Sequence, residues 1–287
     1  MEPNFTQQIR DKARELLENG AVECVIGYEI GSDGSSARPS FVYEADDVER
    51  LVFDNTCTHS LIKYLLNKKD KSVATVVKGC DSRALNLLFT EKQLERDKVF
   101  VIGVVCSGIL EWGWNKHSDK TQNRCNPCRQ HTPLVYDVLV GKPVDEEPLP
   151  ADYFTEVIEM EAKTAEERLG FWNEQAERCI RCYACRNVCP GCYCTDCFVE
   201  LLDPEWVGIR IANKENLMWN AIRAFHLAGR CIACNECERV CPVNIPLSLL
   251  NRKLEQEVLD LFDFMSGMST EIPAPLITFK KDDKLEG

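Results

Sequence analysis

What this chain of 287 residues lacks excludes several functions. Basic residues are outnumbered: 34 Lys and Arg against 46 Asp and Glu leave a net charge of −12. An acidic surface repels phosphate backbones, so nucleic acid is not an expected partner. Long apolar runs are missing. The longest mostly apolar stretch, Val99–Leu110, falls short of the roughly 20 residues that a bilayer span needs. Residues 1–10 show neither a basic n-region nor an apolar h-region, so no signal peptide is expected and the chain reads as cytoplasmic. No GxGxxG follows a strand pattern, so a Rossmann dinucleotide site is not indicated. A P-loop, an HExxH and a Ser/His/Asp set are equally missing. Histidine is scarce, with 4 residues, none at zinc-motif spacing to a cysteine cluster.

Cysteine is abundant instead: 17 residues in a chain whose 45% hydrophobic and 28% charged content is that of a globular protein. A reducing compartment does not sustain a dense disulfide framework, so clustered cysteines there read as metal ligands. Soft thiolates without histidine favour iron–sulfur or zinc, and spacing decides between them. The first motif is Cys179-x2-Cys182-x2-Cys185-x3-Cys189-Pro190, and the second is Cys231-x2-Cys234-x2-Cys237-x3-Cys241-Pro242. In this pattern three closely spaced thiolates converge on one [4Fe–4S] cube and the fourth cysteine ligates the other cube. The expectation is therefore one cluster on Cys179, Cys182, Cys185 and Cys241, and another on Cys231, Cys234, Cys237 and Cys189. A single CxxC would leave zinc or inert buried thiols open; two full copies ending in Cys-Pro argue against both.

The spacer 190–230 exceeds what a minimal ferredoxin needs and includes a helix-like stretch, Lys214–Leu227, leading into Gly229-Arg230. In this the region resembles the helical ferredoxin modules of succinate dehydrogenase and heterodisulfide reductase subunits, as does Cys241-Pro-Val-Asn-Ile-Pro246. The N-terminal part alternates instead. Phe5, Ile9, Ala13, Leu16 and Leu17 share one helical face that Gly20 ends, and Val22–Tyr28 reads as a buried strand. A Gly/Ser-rich loop, Gly31–Ser36, follows, then a helix around Leu61–Leu66. Val73–Val77 is a strand entering Lys78-Gly79-Cys80-Asp81, with a helix over 82–89, and Val99–Val105 is a further strand. The predicted fold is an α/β N-terminal domain with a mainly parallel sheet (1–140), joined by a Pro- and acid-rich linker (141–163) to a mostly α-helical dicluster ferredoxin domain (164–262) and a tail (263–287). Thr164 and Glu167 form a candidate capping box for a helix to Glu177, and Lys280–Gly287 reads as a mobile end.

Parallel neighbouring strands would bring Cys80 and Cys106 to the same C-terminal sheet edge, where open α/β sheets bind ligands. Cys125-Asn-Pro-Cys128 could fold over them and complete four thiolates, with buried structural thiols as the alternative. Three stretches here, Lys78-Gly-Cys80-Asp-Ser-Arg-Ala84, Ile102-Gly-Val-Val-Cys106-Ser-Gly108 and Arg124-Cys-Asn-Pro-Cys128, resemble a known family. It is that of the beta subunits of deazaflavin (coenzyme F-420)-reducing hydrogenase and its formate dehydrogenase relatives. The resemblance covers residues 20–135 and implies a third [4Fe–4S] cluster on Cys80, Cys106, Cys125 and Cys128 beside an FAD. The family's Gly-rich N-terminal segment and its later Gly/Ser-rich flavin segment have no counterpart, which leaves the flavin less supported than the cluster. Candidate flavin contacts are backbone at Gly31 and Gly34, and side chains at Asn55, Thr56 and Thr58; the loop could equally be an ordinary surface turn. Lys78 and Arg83 could offset the charge of a reduced flavin or cluster, or be plain surface groups.

Five cysteines remain. Cys24 reads as core, while Cys192, Cys194 and Cys197 could hold another metal, with Cys57 or a partner's residue as fourth ligand, or could shelter the neighbouring cluster. Trp112 and Trp114 could form a partner contact or pack locally, and Tyr183 and Tyr193 are placed to shield clusters from water. His59, His117, His131 and His226 are expected in surface or capping roles, and Glu146-Glu147 as solvated charge. The expected function is single-electron relay within an anaerobic multi-subunit oxidoreductase, beside hydrogenase, formate dehydrogenase or heterodisulfide reductase-type subunits. Two alternatives are a flavin-dependent dehydrogenase oxidising a deazaflavin or nicotinamide itself, and a cluster-bearing structural or redox-sensing protein.

Overall fold

The computed structural model describes residues 4–113, 116–146 and 148–275; the side chains of 112, 113, 116 and 117 are not described. The readings of Trp112, Trp114, His117, Glu147 and Lys280–Gly287 therefore lie outside the described residues. The chain divides into two compact units, Met1–Pro150 with Gly267–Thr270, and Ala151–Ser266 with the remainder.

In the first unit, α1 (Phe5–Glu18) buries Phe5, Ile9, Ala13 and Leu16 at the i, i+4, i+8, i+11 spacing of one helical face. The chain then turns through Gly20 at φ +68° into β1 (Cys24–Ile30). β2 (Ala37–Val42), β3 (Val73–Val77), β4 (Val99–Val104) and β7 (Val138–Val140) complete a sheet of order β2-β1-β3-β4-β7. Only the β1–β2 pair is antiparallel, so the sheet is mixed and mainly parallel. Val73–Val77 is buried at every position, the continuous apolar run expected of a strand covered on both faces. Between β4 and β7 lies a hairpin, β5 (Leu110–Gly113) with β6 (Lys116–Thr121). α2 (Ile62–Leu65) is a single turn, shorter than its apolar run suggested. α3 (Gly79–Thr90) begins earlier than expected and takes Cys80 into its first turn. Asn86 Nδ2 donates to Gly267 O at 3.0 Å, tying Gly267 to this unit.

In the second unit, α4 (Thr155–Glu161) lies inside the stretch read as linker. Lys253 pairs with Glu161. The Arg252 guanidinium sits 3.9 Å from the Tyr153 ring centroid, within cation–π range. α5 (Ala165–Arg178) opens on the Thr164/Glu167 capping box, with Glu167 N–H donating to Thr164 Oγ1 at 3.2 Å and Thr164 N–H to Glu167 Oε2 at 2.7 Å. Short helices α6 (Ala184–Val188) and α8 (Glu236–Arg239) occupy equivalent places in the two cysteine motifs. α7 (Asn213–His226) and α9 (Leu247–Phe262) flank them. No helix among the described residues is long and apolar enough to cross a membrane.

Candidate metal centres

Each ferredoxin motif repeats one backbone trick. The residues two and four positions after the first cysteine are left-handed in both copies: Arg181 and Tyr183 at φ +49° and +57°, Ala233 and Asn235 at φ +54° and +50°. None is glycine, so the conformation is strained, and strain of this kind persists where the surroundings impose it and collects at functional sites. The turns wrap the cysteines around two enclosed spaces. One cavity is lined by Cys179, Cys182, Cys185 and Cys241. The other is lined by Cys189, Cys231, Cys234 and Cys237. Each thus draws three cysteines from one motif and the last from the other.

Amide N–H groups point at the sulfurs. Asn220 Nδ2 lies 4.0 Å from Cys179 Sγ, Asn251 Nδ2 lies 3.9 Å from Cys237 Sγ, and Ile245 N lies 3.4 Å from Cys241 Sγ. Two buried arginines stand beside the cavities. Arg181 donates through Nε to Asn216 Oδ1 at 3.1 Å, and Arg223 through Nη2 to Cys185 O at 3.0 Å. Arg181 Nη2 and Arg223 Nε are buried without a hydrogen-bond partner. Burial disfavours the Arg223 charge, yet the charges of Cys189, Cys192, Cys237 and Cys185 outweigh this and raise its pKa. Burial pushes the Cys231 thiol up to about 12 and raises Cys234 and Cys237 as well. Among the described residues no three His, Cys, Asp or Glu side chains stand as a group that could hold a single metal ion. The thiols ring cavities rather than a point. Anionic tetrathiolate clusters suit such rings, with N–H donors and guanidinium groups supplying the compensating polarity. The donor set fits the group.

The N-terminal cysteines meet by a different route. β3 and β4 are parallel neighbours, pairing Val77 with Gly103, so Cys80 and Cys106 follow them at one sheet edge. The Cys125–Cys128 loop is pinned there: Cys106 N–H donates to His131 O at 2.9 Å and His131 Nδ1 donates to Cys106 O at 2.8 Å. Gly79 permits the approach, since a Cβ there would sit 1.7 Å from Gln130 O. The thiols feel one another's charge. Burial raises Cys106 to about 11, with Cys125 and Cys128 adding to the rise, and Cys80 is raised by burial, by Asp81 and by Cys128. Lys78, Arg83 and Arg124 work in the opposite sense on members of this set. Thiols within the electrostatic reach of three cations also fit an anionic cluster.

Lys78 and Arg83 are not surface groups; they are 1% and 7% exposed. Lys78 Nζ pairs with Asp81 at 2.9 Å, donates to His59 O at 2.9 Å and bonds Tyr28 Oη. Burial opposes its charge, but Asp81 and Tyr28 prevail and hold it well above the usual lysine value. The other flavin candidates are occupied locally. Gly31 N–H and Gly34 N–H bond inside the β1–β2 turn, whose Asp33 carboxylate accepts from Ser35 and Ser36. Thr56 Oγ1 donates to Asp54 and accepts from Ala37 N–H, while Asn55 is exposed and its carbonyl accepts from Leu110 N–H. Cys24 and Cys57 are fully buried core thiols. Tyr183 lines the first cavity and edges onto Trp219 at 5.3 Å; Tyr193 lies under Arg230. Sequence reasoning missed Arg124, Arg181, Arg223, Asn220 and Asn251. Arg124 and Arg181, each adjacent to a ligand cysteine, had a local signal; the helix-borne Asn220, Arg223 and Asn251 have none.

Residues 175–245 match the family of 4Fe-4S dicluster domains. The protein is an iron–sulfur protein. Along nearly its whole length it is also similar to an F420-dependent formate dehydrogenase subunit beta of Methanocaldococcus jannaschii, 22% identical, with 93% of this chain and 92% of that one covered. The F420-dependent formate dehydrogenase 1 subunit beta of Methanococcus maripaludis is 23% identical over 91% of this chain and 90% of its own. This iron–sulfur protein therefore resembles those subunits well beyond its dicluster domain.

Proposed function

We propose that the chain is the iron–sulfur subunit of a formate dehydrogenase-type oxidoreductase, cytoplasmic and bound to other redox subunits, of which hydrogenase and heterodisulfide reductase types are further candidates. The observation that carries this is the pair of cavities, each ringed by three cysteines of one motif and the fourth of the other. Cys179, Cys182, Cys185 and Cys241 would hold one [4Fe–4S] cluster, Cys189, Cys231, Cys234 and Cys237 a second, and Cys80, Cys106, Cys125 and Cys128 a third. Bound clusters supply reversible one-electron storage at potentials set by hydrogen bonds to sulfur, net charge and exposure. The protein's own part is to hold the thiols at fixed corners, aim N–H groups at sulfur and place guanidinium and ammonium groups nearby. The helices α5 to α9 support a ferredoxin module of the helical type, which would extend over residues 164–262.

The flavin-dependent reading draws little support from the hairpin, where Gly31 and Gly34 spend their donors on the turn itself. An anaerobic preparation assayed for iron, acid-labile sulfide and released flavin tests the proposal. These three clusters account for about 12 iron per chain, and a total below that would remove one of them. Cys125→Ala should remove about four of them and spare the electron paramagnetic resonance of the ferredoxin pair. Unchanged iron would reject the N-terminal ligand set, and stoichiometric FAD would favour the dehydrogenase reading.

A further inference from the structure

Cys192, Cys194 and Cys197 belong to neither ferredoxin cavity. They occupy an irregular loop after Cys189 and line a third space, with about 840 Å³ empty and part of it open to solvent, together with His226. The two cluster cavities hold about 420 and 330 Å³ on the same measure, so room is not limiting. His226 is the last residue of α7, and its ring meets Phe198 edge-on at 5.2 Å between centroids, which fixes the imidazole plane. Phe198 in turn tilts against Trp219 at 5.7 Å. Three soft thiols and one imidazole thus face a common cavity from a loop and a helix end.

Other features separate these cysteines from structural thiols. Cys24 and Cys57 are fully buried, whereas Cys194 is exposed and Cys192 and Cys197 are half-buried. A solvent-accessible thiol is open to oxidation unless it is ligated. Arg186, Arg223 and Arg230 line the same cavity and would offset thiolate charge. Arg186 is itself held by Glu200, to which Nη1 and Nη2 donate. Among the described residues no three of these ligands form a group fit for a single ion. Ligands spread around a cavity of this size suit a cluster that distributes them over several irons better than a tetrahedral zinc, whose sulfur and nitrogen ligands lie about 2.0–2.3 Å from one metal.

We propose that Cys192, Cys194, Cys197 and His226 hold a further [4Fe–4S] cluster, beside the cavity of Cys189, Cys231, Cys234 and Cys237. Gly191, Arg223, Leu227 and Arg230 line both spaces, so the two centres would be neighbours. The test uses the full chain purified anaerobically, comparing the native protein with Cys194→Ser and Cys197→Ser for iron, sulfide and zinc. Each variant should lose about four iron and four sulfide, with the ferredoxin-pair resonance retained as the control for folding. Unchanged iron, or zinc lost in its place, overturns the proposal. Should the serine variants fail to fold, His226→Cys keeps four ligands and is expected to retain full iron while shifting one Mössbauer component; an unshifted spectrum rejects the imidazole ligand. Cys125→Ala reports on the first unit alone, so failure here and failure of the N-terminal cluster are read separately.

Discussion

The two thiolate regions differ in what holds them. In the first unit, Cys80 and Cys106 hang from the ends of buried strands on a sheet that packs its own apolar core, Val25, Ile26, Val76, Val101 and Ile102 among them. In the second unit two of the ligand cysteines are themselves core residues. Cys185 and Cys237 form a buried cluster with Ile245 and Leu247, against which Cys179, Cys241 and Val243 pack. A further small cluster joins Val199, Val207 and Trp219. The first region is a scaffold to which ligands have been added; the second depends on its ligands for a core. Metal binding and folding should therefore be coupled more tightly in the second.

The sharpest way to break this comparison is to remove one ligand from each region. Cys237→Ala should strip iron from the pair and cause the second unit to lose helical circular dichroism and resist proteolysis poorly. Cys125→Ala should leave the protease-resistant first unit intact. Equal resistance of both units in both variants would abolish the distinction. Next in size is the buried pair at the sheet edge. Asp81→Ala leaves the Lys78 ammonium without its carboxylate, and both side chains are 2% exposed. Breaking a buried pair in this way costs about 3–5 kcal/mol, measurable by chemical denaturation of the first unit; a loss under 1 kcal/mol would mean the pair is not buried in solution. The smallest effect expected is electronic. Asn251→Leu removes the amide near Cys237 Sγ. A hydrogen bond of about 0.5–1.5 kcal/mol corresponds to roughly 20–60 mV for one electron. The potential of one ferredoxin cluster should fall by that amount, since the N–H favours the more negative, reduced form, and a redox titration reads it.

Legibility followed locality. The ferredoxin ligands sit within a few residues of each other, and the Cys-x2-Cys-x2-Cys-x3-Cys spacing already encodes three corners of a cube. The Thr164/Glu167 box and the helix it starts were equally plain, because a cap is a four-residue contact, whereas the neighbouring α4 was read as linker. Strands β2, β5, β6 and β7 were not read, being short, polar or edge segments whose pairing is set by partners elsewhere. The surface reading of Lys78 failed because nothing next to it in sequence reveals Tyr28 and the His59 carbonyl as its partners. The flavin candidates in the Gly/Ser loop rested on composition, and the structure shows a hairpin turn closing on itself.

By itself the sequence determined that this protein holds cysteines in two ferredoxin repeats and an alternating α/β half, because hydrophobic period and ligand spacing are properties of adjacent residues. Tertiary structure decided the rest. Only the parallel pairing of β3 and β4 brings Cys80 and Cys106 to one edge. Only the packing of α7 and α9 sets Asn220, Arg223 and Asn251 against the thiols. Only the end of α7 brings His226 to the cavity of Cys192, Cys194 and Cys197. Contacts between residues far apart in the chain arise when elements bury their apolar faces together, and no local pattern records which faces will meet.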